Sequence, residues 1–282
     1  MTPQMQRAPG HGVEIQLAHW PGRGRSVFCV HGLTANCRAW DVIAGELSPE
    51  HDVWALDLRG RGRSDKPETG YGIAAHCADI LAVADHLGVE RFAVMGHSLG
   101  AYIALALAAQ NPQRVQRAVL VDGGAQLSEA EMAKVFAWVS MSVARLNMVM
   151  PDFEQYRAVV QQAPFLQPWN PALDDYLAYE IQEVEGGVRS SVSPAAVERD
   201  AEDLRQAQPA ELYRRVACPV LILRAPEAIL GDDLILPQAA VDKMLREIKD
   251  ATLVNLAGAN HYNIINADMP QRRQALTDFL AP

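Results

Sequence analysis

Ser98 stands at the centre of Gly96-His97-Ser98-Leu99-Gly100, and its flanks give the run its meaning. Residues 91–95 read as a short buried strand, and residues 101–108 as a helix with a small-residue face. A serine between strand and helix sits on a sharp turn that projects its hydroxyl off the sheet edge. Glycines two positions before and two after let neighbouring segments pass close to a serine in strained backbone geometry. The pentapeptide alone recurs by chance in Gly- and Ser-rich loops. Between these flanks it predicts a nucleophile.

A serine hydroxyl is a poor nucleophile until a base takes its proton, and histidine is the usual base at neutral pH. Of the chain's eight histidines, His261 alone follows Ser98 in sequence. It lies in Gly258-Ala259-Asn260-His261-Tyr262, a loop after the last predicted strand, and is the expected general base. A carboxylate should fix its tautomer and stabilise its charged form. Asp122 ends the strand after the serine helix, beside Gly123 and Gly124. Asp232 and Asp233 follow the next strand, across a connection longer than the usual short turn. Asp122 is preferred, and Asp233 stays open as the alternative. An oxyanion would need backbone donors, expected at Leu99 and at Leu33 in the loop His31-Gly32-Leu33-Thr34. His31 and His97 read as buried structural groups.

These groups must be positioned by the elements around them. Strand-like runs at 13–18, 26–30, 52–56, 91–95, 115–121, 219–223 and 251–256 alternate with helical patterns at 38–47, 73–87, 101–108, 237–248 and 271–280. Short apolar strands separated by helices predict an α/β fold with a mostly parallel central sheet covered on both faces. The pattern changes after Asp122-Gly123-Gly124. Residues 125–213 read as an inserted all-helical cap, with residues 1–124 and 214–282 forming the core. Apolar cap residues Phe136, Met141, Leu146, Met148, Phe165 and Trp169 are candidates for a pocket wall or for the cap's own core. Arg145, Arg157 and Arg189 read as surface residues, any of which could instead meet a substrate carboxylate.

The net charge of −9 argues against nucleic acid or an anionic membrane as partner. Fourteen acidic against six basic residues between 125 and 212 place nearly all of that excess in the insertion, as the solvated faces of helices. No apolar run is long enough to span a bilayer, and residues 1–11 have no secretory character. Cys29, Cys37, Cys77 and Cys218 lack metal or redox spacing and read as buried thiols. The expectation is a cytoplasmic protein with a small-molecule substrate and neither metal nor organic cofactor. A homo-oligomer is compatible with it.

The motifs resemble those of the α/β-hydrolase fold superfamily across the chain apart from the cap. His31-Gly32-Leu33-Thr34 is similar to its oxyanion loop, and Asp57-Leu58-Arg59-Gly60-Arg61-Gly62-Arg63-Ser64-Asp65 to its signature loop after the next strand. Gly96 to Gly100 resembles its nucleophile elbow, and His261 its late histidine. An acid after the strand that follows the nucleophile helix is similar to a subset with some haloalkane dehalogenases and some amide-cleaving members, which favours Asp122. Dehalogenases and epoxide hydrolases carry aspartate where Ser98 stands. Carbon–carbon bond hydrolases usually carry tryptophan where Tyr262 stands. The resemblance therefore implies a serine hydrolase of a small ester, lactone or activated amide. A carbon–carbon bond hydrolase, or a ligand receptor on the same fold, are the alternatives.

Overall fold

The computed structural model describes residues 1–229 and 233–281, apart from the side chain of Met141. The chain opens with β1 (Gln4–Pro9), β2 (Glu14–Trp20) and β3 (Ser26–Val30), then α1 (Asp41–Leu47), β4 (Asp52–Leu56) and α2 (Ile73–His86). There follow β5 (Phe92–His97), α3 (Leu99–Gln110) and β6 (Val115–Val121). The insertion holds α4 (Glu129–Leu146), α5 (Phe153–Gln161), α6 (Pro171–Glu180), a hairpin of β7 (Ile181–Val184) and β8 (Gly187–Ser190), then α7 (Pro194–Gln206) and α8 (Ala210–Tyr213). The chain closes with β9 (Val220–Arg224), α9 (Gln238–Glu247), β10 (Ala251–Asn255), α10 (Asn263–Asn266) and α11 (Pro270–Leu280).

The main sheet runs β1-β2-β4-β3-β5-β6-β9-β10 in space. Its first two pairings are antiparallel and the rest parallel. Strands β5 and β9 are buried at every residue, as befits parallel strands covered on both faces, and this is why they read as unbroken apolar runs. One face packs on α2 and α3, the other on α1, α10 and α11. Helix α3 is buried along nearly its whole length, which its Ala- and Leu-rich sequence permits. All four cysteines are buried and free.

Two elements depart from expectation. Strand β1 was not foreseen because its polar sequence faces solvent on an edge, where pairing with β2 holds it and periodicity gives no signal. The insertion, expected to be all-helical, contains the β7–β8 hairpin, which turns at two positive-φ glycines, Gly186 and Gly187. A four-residue strand is too short to show an alternating pattern.

Helix α4 starts on a capping box, with Ser128 and Glu131 satisfying each other's backbone amides. Helix α7 is locked to the core from within. The Asp200 carboxylate accepts from Arg61 Nη1 at 2.5 Å, His76 Nε2 at 2.9 Å and the Gly72 amide at 2.6 Å. Burial alone would raise the Asp200 carboxyl, but Arg61 and His76 outweigh it and hold it well below the usual carboxylate range. Helix α6 is tied down by the Tyr179 hydroxyl, which donates to Asp57 at 2.6 Å. Asp200→Ala strands a fully buried guanidinium and should cost about 3–5 kcal/mol. A urea midpoint unchanged from the parent's would show that the lock does not hold the insertion.

Candidate active site

Strand β5 ends at His97 and helix α3 begins at Leu99, so Ser98 alone makes the turn between them. Its φ of 56° is a conformation that a non-glycine residue adopts only when its surroundings enforce it. They do. A Cβ on Gly96 would lie 1.9 Å from the Gly100 carbonyl oxygen, and one on Gly100 would lie 2.0 Å from that of Val30. The Ser98 amide is tied to the Val121 carbonyl at 3.1 Å, which fixes the turn against the end of β6.

The residue that follows β6 is Asp122, buried and also at positive φ. Its Oδ1 accepts from the Ala225 amide at 3.1 Å, and its Oδ2 lies 2.7 Å from His261 Nδ1. A carboxylate only accepts, so the ring proton sits on Nδ1 and Nε2 is left with its lone pair. The histidine loop is itself pinned, because Asn260 Oδ1 accepts the amides of Tyr262 and Asn263, each at 2.9 Å. Of the two carboxylates weighed, Asp122 meets the histidine. Asp233 instead pairs with Lys134 of the insertion at 2.5 Å, and Asp232 lies outside the described residues.

Two buried histidines shape the site without joining it. The Leu58 amide donates to His31 Nε2 at 3.1 Å, so Nδ1 carries the proton and donates to the Gly32 carbonyl at 2.7 Å. That carbonyl belongs to the planar peptide whose N–H is Leu33's, so His31 sets the direction in which the Leu33 amide points. Burial pushes His31 down to about 3, which keeps it neutral. His97 donates from Nε2 to the His261 carbonyl at 2.8 Å. Burial and the neighbouring His261 ring push it well below the ordinary range, so it does not oppose a positive charge on His261.

Leu33, in the loop after β3, and Leu99, at the start of α3, come to the serine turn from different elements. Gly32 approaches Ser98 so closely that an added Cβ would sit 3.2 Å from the serine Cβ. Leu99 opens α3, where the first amides have no intrahelical acceptor and the dipole is positive. Arg61 supports this loop from behind, donating from Nε to the Leu33 carbonyl at 3.1 Å. The same guanidinium bonds Asp200, so one side chain joins the insertion to the loop beside Ser98. Sequence reading missed that link, since Arg61 and Asp200 are 139 positions apart and no local pattern connects them.

A cavity of about 360 Å³ opens over Ser98 and His261 and is walled by both core and insertion. Of the apolar candidates left open between pocket wall and cap core, Met148, Phe165 and Trp169 line it. Phe136 and Leu146 do not: Phe136 packs under the Arg205 guanidinium, 4.1 Å from ring to carbon, and Leu146 is buried inside the insertion. The Met141 side chain lies outside the described residues. Arg145 lines the cavity, whereas Arg157 pairs with Asp174 and Arg189 is exposed. Among the described residues, no three His, Cys, Asp or Glu side chains converge so as to hold a metal ion. No helix among them is long and apolar enough to cross a membrane.

A family model for the alpha/beta hydrolase fold matches residues 25–268. The 2-(acetamidomethylene)succinate hydrolase of Mesorhizobium japonicum is 32% identical over 262 residues, 92% of this chain and 89% of that one. The solved structure of an E-2-(acetamidomethylene)succinate hydrolase superposes with a TM-score of 0.86 at 28% identity, covering 99% of each chain. The N-formylmaleamate deformylase of Pseudomonas putida is 38% identical over 113 residues, 40% of this chain and 42% of that one.

Proposed function

The chain belongs to the α/β-hydrolase fold family, and we propose that within it the protein is a serine hydrolase of a small activated amide, ester or lactone, working through an acyl-enzyme. The observation that carries the reading is the 2.7 Å contact of His261 Nδ1 with Asp122, beside a serine on a strained turn. Ser98 Oγ attacks the carbonyl carbon while His261 Nε2 takes its proton. Asp122 holds the resulting imidazolium, and the amides of Leu33 and Leu99 receive the oxyanion. The tetrahedral intermediate collapses as His261 gives its proton to the leaving nitrogen or oxygen. Water, deprotonated by His261, then attacks the acyl carbon and releases the acid and free Ser98. No metal enters these steps.

Both relatives' names contain an N-acyl group, acetamido in one and N-formyl in the other, which favours the activated amide.

The test is labelling with a fluorophosphonate, followed by peptide mass mapping and turnover of nitrophenyl esters of increasing acyl length. The adduct should map to Ser98, and the ester profile should size the acyl pocket. An unlabelled Ser98 overturns the assignment. A labelled Ser98 beside intact esters and amides would point instead to the carbon–carbon bond hydrolase, or to a receptor that retains its ligand.

A further inference from the structure

At about 360 Å³ the cavity lies at the small end of ligand sites, and its charge pattern is more informative than its size. Three of its described lining residues carry a charge: Arg38, Arg145 and Glu180. Arg38 is already engaged, with Nε at 2.9 and 2.8 Å from the two oxygens of Asp41 and Nη2 at 2.5 Å. Arg145 Nη1 donates to Glu180 Oε1 at 2.5 Å and to the Tyr156 hydroxyl, which itself donates to Glu180 at 3.0 Å. Both cations therefore have a carboxylate of their own. Burial works against the Arg145 charge, but Glu180 outweighs it and holds the guanidinium firmly protonated.

Glu180 is fully buried, and its Oε2 has no hydrogen-bond partner among the described residues. A carboxylate entering the cavity would compete with Glu180 for Arg145 and leave two anions sharing one cation against a largely apolar wall. The rest of the wall is mostly apolar and aromatic, with Thr34, Ser142, Asn266 and the tyrosines Tyr176 and Tyr262 among its polar members. Phe165 stands edge-on to Trp138, with centroids 5.7 Å apart, and stacks on Tyr262 at 4.6 Å.

We propose that this cavity selects an uncharged, apolar acyl group and rejects one that bears a carboxylate, and that Glu180 sets the choice by cancelling Arg145. The proposal rests on the serine-hydrolase reading for what happens after binding, but not for the binding itself. Two nitrophenyl esters of equal carbon count separate the classes: the pentanoate, and the hemiglutarate with its terminal carboxylate. The parent should favour the pentanoate in kcat/KM by roughly a hundredfold. Glu180→Gln, which keeps the shape and uncovers the cation, should narrow that ratio at least about tenfold. Arg145→Gln, which uncovers the anion, should widen it. A merely structural role would not move the ratio in opposite directions.

Binding is read apart from turnover by titrating the intact esters into Ser98→Ala protein and following tryptophan fluorescence, with Trp138 and Trp169 in the wall. Selective pentanoate binding with no hydrolysis by the parent sinks the hydrolase reading and upholds this one. Hemiglutarate bound or cleaved as well as pentanoate, no binding of either, or a ratio indifferent to both substitutions overturns it. If neither variant folds, the parent's two preferences decide.

Discussion

Ser98→Ala and His261→Ala are each expected to lower kcat on a good ester substrate by about a millionfold, and the double variant by no more than either single one. The reason is that the two groups act as one device. In the proposed mechanism the hydroxyl reacts only when Nε2 takes its proton, and Nε2 is free to do so because Nδ1 is engaged with Asp122 Oδ2 at 2.7 Å. Without either partner, the residual rate comes from binding and from the Leu33 and Leu99 amides, which neither substitution touches. Single-turnover kinetics on the three proteins measure this. Losses that multiply in the double variant would mean that Ser98 and His261 act independently, and the mechanism would fail.

Asp122→Asn should lower kcat about ten-thousandfold with the fold intact, while Asp233→Asn should leave it unchanged. The size of the first effect follows from how the Asp122 oxygens are shared. Oδ1 is already taken by the Ala225 amide, and an asparagine would keep its oxygen there. Its NH2 group would then face His261 Nδ1 and force the ring proton onto Nε2, where a proton acceptor is required. Asp233 has no such part, since its carboxylate is spent on Lys134 at the edge of the insertion. An Asp233→Asn protein as impaired as Asp122→Asn would reverse the assignment.

Much of this was legible in the sequence, for a local reason. A buried parallel strand is a short apolar run, and the strands at 26–30, 52–56 and 115–121 fall where those runs predict them. The turn at Ser98 announces itself because only glycine fits two positions to either side. His261 stood out by elimination, and Asp122 by its place at a strand end. What stayed hidden depends on contacts between distant segments. Arg61, His76 and Asp200 converge only after the insertion folds over the core. Arg145 gave no sign of its partner, because Glu180 lies 35 positions away on another helix. Edge strand β1 and the β7–β8 hairpin escaped because polar or very short strands carry no periodic signal.

The position of Asp122 at the end of β6 has a consequence for how this molecule could diversify. The stretch after β9 touches the acid through the main-chain amide of Ala225, which any residue but proline can supply. Farther along the same stretch, Ile229 and Ile235 reach the cavity wall. That connection is thus coupled to ligand shape, and its tie to the histidine loop is the Glu227 amide, which donates to the Ala259 carbonyl at 3.0 Å. Insertions, deletions or grafts between residues 228 and 235, which leave Glu227 in place, would retune which compounds enter while the reactive groups stay in register. In a laboratory lineage this is the stretch to randomise first, because errors there alter preference before they abolish turnover.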